Sequence, residues 1–573
     1  MKKMEHKNVF ENLPLCAVEY IKLIIKKMKW RKKVREDVQA ELIAHFEDAL
    51  HDCKTNEEKE KAAKELIANF GDAGLIAVLA RRAKKRCRPM WQKAIIRCFQ
   101  AFGIFIIFLI LYCFYIASGK PTLRVNYIQE YINANRPVSD ESQNAESLYK
   151  QIGKVYVKPP EINDANDHNN YAGGKIDLLD KIKHIRDFKQ LNDEQFAMVD
   201  KWIEDNNETI KLFIEASKRP YCWHEPNASE LQESFIAMLM PNLSSTRNAV
   251  YLLTAKARLK AYKGNMNEAL QCITPLWDAS GHFSGPRTII EQLVGLSIEG
   301  LSFKAVSDLL AEYKFSPEQL KMIQSRLEKL LADNDFYMNY GTERFFVRDF
   351  IQRCYTDDGR GNGHAIPDQL SQFWGNFGEY DMVTDKKFRG LLFLGMSVLS
   401  EDRKEMTEFM EHFYEKAQQY AKMTPWQLHK ENKSLESMLT NWSRYKSLRY
   451  MNARMLLPAF DKANTIPYRY QITGKSLIVT IAVFRYQQDN NKLPESLKQL
   501  QETGYICSIP IDPFSGNEIT YKLTKDEFTI YSFGFDFDDD GGKIGVNNQG
   551  KSEMWNTDDG DAVFWPVGET LKN

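Results

Sequence analysis

The amino-acid sequence predicts a mainly α-helical protein with one transmembrane helix and a small C-terminal α+β domain. Residues 98–119 carry no charge, apolar residues recur at helical spacing through most of the chain, and strand-like alternation is confined to the region after position 518. We therefore expect a cytoplasmic helical domain at 1–90, the transmembrane helix at 98–119, a large all-α, solenoid-like extracytoplasmic domain at 120–460 and the α+β domain at 461–573.

The composition is that of a folded protein. Of 573 residues, 43% are hydrophobic and 27% are charged, which excludes a wholly disordered chain. Lys plus Arg and Asp plus Glu each number 77, so the net charge is zero, and we expect no nucleic acid as a partner. The charge is unevenly divided, because residues 1–97 hold 23 basic and 14 acidic side chains (net +9) and the remainder has a net charge of −9.

The first domain reads as a set of packed helices. Apolar residues follow a four-residue spacing from Val34 to Leu50, which marks one face of a helix. Thr55 and Glu58 form a capping box at the start of the next helix, and Gly71 is a natural end for it. A further helix is expected after Asp72.

This domain resembles the HAAS-type (permease-prefix) helical domain. The residues that carry the resemblance are Glu41, His45, Glu47 and Ala49 in the long helix and the Phe-Gly-Asp turn at 70–72. The resemblance implies a helical interaction module without catalytic residues, at the cytoplasmic N-terminus of a protein of the bacterial inner (cytoplasmic) membrane.

The uncharged stretch at 98–119 is long enough to cross a bilayer. Its 22 residues rise about 33 Å as a helix, against a hydrocarbon core of about 30 Å. A buried core helix is the alternative, but such helices rarely stay uncharged over six turns. Eight basic and no acidic residues between 81 and 97 predict a cytoplasmic N-terminus and a retained signal-anchor, with the chain beyond Lys120 in the periplasm. The lipid bilayer is thus the first expected partner.

The middle domain contains one recognisable helix pair. It turns at Gly264 and Asn265, and Ala269 occupies the small packing position of the second helix. This pair is weakly similar to a tetratricopeptide unit, although no 34-residue recurrence accompanies it. The polar stretch at 158–174 reads as an exposed loop.

Few residues of the middle domain suggest catalysis. Cys222, His224 and Glu225 lie close together in the sequence and invite a nucleophile or metal interpretation, but a packing turn around Trp223 explains them as well. The glycine-rich segment 359–364 follows two aspartates rather than a strand, so we interpret it as a loop and not as a nucleotide fingerprint. We therefore predict no catalytic residue and no enzymatic activity.

Four cysteines of the extracytoplasmic part leave the redox state open. Two disulfides are conceivable there, in three pairings, and free thiols fit equally well. The four are Cys222, Cys272, Cys354 and Cys507.

The sequence of the C-terminal domain predicts a helix that ends near Asn491, a short second helix and a β-hairpin. The hairpin strands are expected at 519–523 and 528–533, joined by a charged turn. An acidic loop follows directly, and it holds the most specific chemical signal in the chain.

That loop predicts a structural calcium site. Asp536, Asp538 and Asp540 alternate and are followed by Gly541, which matches the first half of a D-x-D-x-D-G calcium loop. An EF-hand would require Glu at the twelfth position, where Asn547 stands, and flanking helices. A second acidic cluster at 558–561 is expected to complete the shell, chiefly through Asp561. A solvated acidic turn is the alternative.

The same domain resembles the globular end of type II secretion major pseudopilins. The matching segments are Leu493-Pro494, 512–516, 528–534 and the Asp-Gly-rich tail that closes on Asp561. The resemblance implies calcium binding by the loop after the strand pair, at Asp536, Asp540 and Asp561. Pseudopilins also carry an N-terminal methylation motif on an apolar helix that runs directly into this fold, and here the apolar helix ends hundreds of residues upstream.

The expected function is that of a non-catalytic extracytoplasmic scaffold or interaction protein with a calcium-stabilised C-terminal module, whose partners are other envelope or membrane proteins. Two alternatives stay open. One is a component or accessory of a type II secretion or pilus-like system, and the other is an envelope hydrolase with its site in the middle domain, at residues such as His224, Glu225 or Asp357.

Overall fold

The computed structural model confirms a mainly helical protein with a small antiparallel sheet near its C-terminal end. It divides into two compact units, Met1–Tyr112 and Cys113–Asn573. The residues that it describes are 10–86, 90–137, 140–163, 175–185, 188–224, 226–227, 235, 243–332, 337–375, 386–457, 459–525, 527–547, 552–555 and 559–567.

The first unit begins with four packed helices around a core that includes Ala17, Ile21 and Phe46, each fully buried. The predicted capping box is confirmed, since the Thr55 hydroxyl accepts a hydrogen bond from the backbone N–H of Glu58 and the Glu58 carboxylate accepts one from that of Thr55. The helices are α1 (Leu15–Lys27), α2 (Lys32–Ala49), α3 (Asn56–Phe70) and α4 (Ala73–Arg86).

The apolar helix is α5 (Met90–Ala117). Its span Ala94–Ala117 has 24 residues, or about 36 Å, and is long and apolar enough to cross a membrane. No residue of its most apolar stretch is buried inside the protein, and Phe99 and Phe114 are among the most exposed aromatic residues described. A single candidate membrane helix is therefore present among the described residues, and it begins four residues and ends two residues before the predicted bounds.

The second unit is built mainly from helices, with a short hairpin between β1 (Glu161–Asn163) and β2 (Lys175–Asp177) in its first half and the three-stranded sheet near its C-terminal end. This hairpin takes up the start of the predicted loop, and residues 164–174 lie outside the described part of the chain. The helices of the first half are α6 (Tyr127–Asn135), α7 (Glu146–Val155), α8 (Leu178–His184), α9 (Asp193–Asp205), α10 (Asn207–Ser217), α11 (Leu243–Tyr262), α12 (Met266–Ser280), α13 (Ile289–Glu312) and α14 (Pro317–Ala332).

The helices of the second half continue to the C-terminal sheet. They are α15 (Glu343–Cys354), α16 (Pro367–Gly375), α17 (Lys386–Leu399), α18 (Arg403–Ala421), α19 (Pro425–Lys430), α20 (Ser437–Thr440), α21 (Arg444–Arg449), α22 (Met451–Leu456), α23 (Phe460–Asn490) and α24 (Leu497–Glu502).

The predicted helix pair of the middle region is confirmed as α11 and α12, which pack along their lengths. Gly264 turns the chain between them with φ +81°, a conformation that few other residues adopt without strain. Ala269 is fully buried and makes the close approach of the two helices possible.

Helix α23 connects the helical body to the sheet. One part of it packs on α13 and α14, where Gly474 lies so close to Phe303 and Leu331 that an added Cβ would stand 3.0 Å from each. Its C-terminal part packs on the sheet and ends at Asn490, and the next residue, Asn491, has φ +56°. The regions 120–460 and 461–573 are therefore in continuous contact within one compact unit.

The sheet has the order β3 (Thr520–Thr524), β4 (Glu527–Ser532) and β5 (Ala562–Trp565), and both pairings are antiparallel. The first two strands confirm the predicted hairpin, and β5 was not predicted. Phe514, Ile530 and Val479 fill the space between the sheet and α23, and each is fully buried.

Candidate functional site

The acidic loop lies between the end of β4 and the start of β5. Ser532 is the last residue of β4 and pairs with Ala562, the first residue of β5. Because Asp561 directly precedes Ala562, the strand pairing holds it beside the loop that leaves β4, although it is 21 residues or more away from Asp536–Asp540 in the sequence. The backbone N–H of Gly542, just after the acidic loop, donates a hydrogen bond to Asp561, which places this residue next to the loop that the sequence singled out.

Three carboxylates of the loop converge. One ligand oxygen from each of Asp536, Asp538 and Asp540 lies within 4.8 Å of the others. The backbone turns sharply here, since Phe537 has φ +66° and Gly541 has φ +77°. The alternation of the sequence therefore becomes a cluster of oxygens, the type of ligand that Ca²⁺ prefers.

Asp561 is the buried member of the group. Its side chain is fully buried, and one oxygen, Oδ2, accepts a hydrogen bond of 2.6 Å from the backbone N–H of Gly542. Its Oδ1 is buried without a hydrogen-bond partner among the described residues, and the same is true of Oδ2 of Asp536. Burial, with the nearby charges of Asp539 and Asp540, raises the pKa of Asp561 to about 6.

These two orphaned oxygens are the strongest chemical feature of the loop. A buried carboxylate oxygen without a donor costs free energy that a cation would recover. Burial and the neighbouring carboxylates of Asp538 and Asp540 also raise the pKa of Asp536. The three converging carboxylates of Asp536, Asp538 and Asp540 are oxygen donors of the type that a hard divalent cation prefers, and Asp561 lies next to the loop that carries them.

Asp539 makes other contacts and is a natural comparison for Asp536, Asp538 and Asp540. Its Oδ1 accepts hydrogen bonds from the Tyr531 hydroxyl (2.8 Å) and from the backbone N–H of Gly541 (2.9 Å). It is not part of the converging group of carboxylates. Asp558, also part of the predicted second cluster, lies outside the described residues.

Asp512 holds the start of the loop in place. It is buried, its Oδ1 accepts hydrogen bonds from the Ser532 hydroxyl (2.6 Å) and the Phe514 backbone (3.0 Å), and its Oδ2 accepts one from the Phe533 backbone (3.3 Å). The Asp-Pro-Phe-Ser-Gly segment at 512–516 is therefore hydrogen-bonded to the residues from which the acidic loop starts.

The loop also contacts the helical body. The ring of Phe537, which lies between two of the converging aspartates, stacks on His429 of α19 with ring centres 4.2 Å apart. Trp426 of the same helix lies 6.3 Å from Phe537, and its backbone N–H donates to the Pro513 carbonyl. The loop conformation and the position of α19 are therefore coupled.

A second group of polar residues surrounds a cavity of about 50 Å³ in the middle region. Nδ1 of His224 lies 2.5 Å from Oε1 of Glu146, which also receives Nζ of Lys150 at 3.0 Å. Burial raises the pKa of Glu146, but its hydrogen bonds with His224 and Lys150 outweigh burial and leave the pKa below its usual range. The lining residues are Glu146, Tyr149, Cys222, Trp223, His224, Leu243, Thr246, His282, Phe283, Arg287 and Glu291.

The other ionisable groups of this cavity are neutral or paired. Burial raises the pKa of Cys222 to about 12 and lowers that of His282 to about 4, so the thiol and this imidazole are uncharged at neutral pH. The guanidinium of Arg287 lies 3.8 Å from the carboxylate of Glu291. The cavity offers a histidine–carboxylate pair, but its thiol is not activated as a nucleophile.

The remaining sequence candidates are placed as follows. Asp357 forms ion pairs with Arg124 (3.4 Å) and Arg403 (3.3 Å) and is not among the residues that line the cavity. The segment 359–364 is a loop, as predicted, in which the Asp358 side chain accepts hydrogen bonds from backbone N–H groups. Glu225 lies outside the described residues, and Cys222, Cys272, Cys354 and Cys507 are all free thiols.

Sequence reasoning missed Glu146 and the cavity. Glu146 stands 78 residues before His224, and no spacing rule joins the two. Its position in the first turn of an amphipathic helix is typical of an ordinary N-terminal acidic residue.

Comparison of the chain with protein families, with curated proteins and with solved structures gave no match.

Proposed function

We propose that this protein is a membrane-anchored, non-catalytic scaffold or interaction protein whose C-terminal module is ordered by one bound calcium ion. The observation that carries the calcium site is the convergence of the Asp536, Asp538 and Asp540 carboxylates. Asp561, whose Oδ1 is buried without a hydrogen-bond partner among the described residues, lies next to the same loop and supports it. Calcium would neutralise the repulsion within this group and hold the loop in the conformation that places Phe537 on α19.

The proposed location is the bacterial inner membrane. The span Ala94–Ala117 supplies the anchor, and the basic residues that precede it favour a cytoplasmic first unit and a periplasmic second unit. In this arrangement the acidic module faces a compartment outside the cytoplasm, where calcium sites with dissociation constants of about 10⁻⁴–10⁻³ M are typical. The partners would be the bilayer and other envelope or membrane proteins.

Calorimetric titration of the detergent-solubilised chain with Ca²⁺ tests the metal site. We expect one site in the wild type and a loss of at least about tenfold in affinity in Asp540→Asn, because one of few charged ligands is removed. Asp539→Asn is the matched control, since it removes the same charge from the same loop outside the converging group and should bind within about threefold of wild type. Equal binding by both variants, or no binding by the wild type, would contradict the proposal.

An envelope hydrolase is the second candidate, and the His224–Glu146 pair at the cavity is the observation that favours it. A histidine oriented by a carboxylate is the general-base half of a catalytic triad. Against it, the Cys222 thiol is neutral and the cavity charges are paired. Hydrolysis of chromogenic ester and amide substrates that disappears in His224→Ala would favour the enzyme, and activity unchanged by that substitution would exclude this site.

A further inference from the structure

The outward face of α4 is apolar where a soluble domain would present polar residues. Ala73 and Ala77 are buried against the core of the first unit, whereas Leu75, Val78 and Leu79 are 60%, 45% and 49% exposed. At about 100° per residue, these three lie on the side of the helix opposite the two buried alanines. They form an exposed apolar stripe along the first half of α4.

Basic residues accompany this stripe. Arg82 continues it by one turn, and Arg81 stands at its border, where its guanidinium lies 5.0 Å from the centre of the Trp30 ring. An apolar stripe with arginines beside it and an aromatic ring nearby is the pattern of a helix that lies in the interface of an anionic membrane. A folded domain surrounded only by water would not expose an apolar stripe of this kind beside a pair of arginines.

The chain length keeps this helix close to the proposed membrane. Four Cα–Cα steps separate Arg86, the end of α4, from Met90, the start of α5, so these two ends lie within about 15 Å. The apolar span begins one helical turn later, at Ala94. If α5 crosses a bilayer, the C-terminal end of α4 is therefore confined to the headgroup region or its immediate vicinity.

We propose that α4 lies on the surface of the bilayer that α5 crosses, with Leu75, Val78 and Leu79 at the boundary between headgroups and acyl chains. Arg81 and Arg82 then contact lipid phosphates. This inference rests on the proposed membrane span. A second copy of the chain is a poorer occupant, since a parallel packing of two such faces would bring the arginines of both copies side by side into one low-dielectric contact.

Photo-crosslinking in proteoliposomes tests the proposal on the full chain. p-Benzoylphenylalanine is introduced at Leu79, at Phe102 in the apolar span, or at Glu57, an exposed position of α3, and the protein is reconstituted into vesicles of phosphatidylcholine and phosphatidylglycerol. We expect lipid adducts at position 79 close to the level at position 102 and about tenfold above the level at position 57. In vesicles of phosphatidylcholine alone, the yield at position 79 should fall severalfold and that at position 102 should not change.

The positions distinguish the ways in which the inference can fail. Adducts at 102 with none at 79 overturn the surface position of α4 and leave the membrane span intact. No adduct at 102 overturns the span itself. A cross-link between two copies through position 79 identifies a second chain as the occupant and overturns the lipid proposal.

Discussion

Asp561→Asn should change the stability of the acidic loop in opposite directions with and without calcium. In the wild type, one oxygen of Asp561 accepts from the Gly542 backbone and the other is buried without a partner among the described residues. Asparagine keeps an acceptor for Gly542 and places an amide group, a hydrogen-bond donor, beside the neighbouring carboxylates. Without calcium the substitution should stabilise the loop, and with calcium it should destabilise the loop because a charged ligand is removed.

The size of the stability change in Asp561→Asn follows from the raised pKa of Asp561. A shift from 3.8 to about 6 corresponds to about 3 kcal/mol, and screening by solvent at the loop reduces this to about 1–2 kcal/mol. Because the folded-state pKa lies above the unfolded one, the native loop is not penalised below about pH 4, loses stability as the pH rises to about 6, and stays at the lower level above it. At pH 7.5 the calcium-free variant should therefore be about 1–2 kcal/mol more stable locally.

Hydrogen exchange of peptides covering 533–545 measures this directly. In chelator at pH 7.5, the amides of Asp561→Asn should exchange about 5- to 30-fold more slowly than those of the wild type. With calcium at a hundred times its Kd, the wild type should gain about 2.7 kcal/mol of protection and the variant much less. Asp539→Asn should retain the calcium response. Faster exchange of Asp561→Asn in chelator, or a full calcium response in it, would refute the reasoning.

Two further predictions concern the second unit. Asp308→Asn should lower the free energy of unfolding by about 3–5 kcal/mol in urea titrations, because the buried Arg258 donates to Asp308 at 2.7 Å. Asp278→Asn, which breaks the more exposed pair with Arg326, should lower it by less than about 1 kcal/mol. Equal effects would show that burial does not set the cost. Iodoacetamide at pH 8 should modify Cys222 at least about a hundredfold more slowly than the exposed Cys507, since a pKa of about 12 leaves very little thiolate. Mass spectrometry of the peptides measures the two rates, and comparable rates would contradict a neutral Cys222 thiol.

Local sequence rules predicted much of the fold. The capping box at Thr55, the turn at Gly264 and the β3–β4 hairpin each depend on interactions within a few residues, and all are confirmed. The third strand, β5, was missed because its four residues carry no alternation long enough to identify a strand. The wide contact between α23 and the helical body was not expected from a composition change near residue 461.

The two candidate sites differ in what revealed them. Asp536, Asp538 and Asp540 follow one another at a spacing of two, so the sequence alone indicates that their oxygens can converge. The pair of Glu146 and His224 spans 78 residues and forms only because α7 packs beside the segment that contains His224. No periodicity in either segment indicates the other.

The apolar helix, the helical character of the chain and the acidic loop can be predicted from the amino-acid order alone, since each depends on residues that are close together along the chain. Features that depend on distant residues appear only in the folded protein. The β4–β5 pairing buries Asp561 beside the loop, and the packing of α4 on the first core turns Leu75, Val78 and Leu79 outward. Whether a side chain is buried or exposed is a property of the packed chain, and it distinguishes Asp561 and the α4 residues from the many similar residues elsewhere in the sequence.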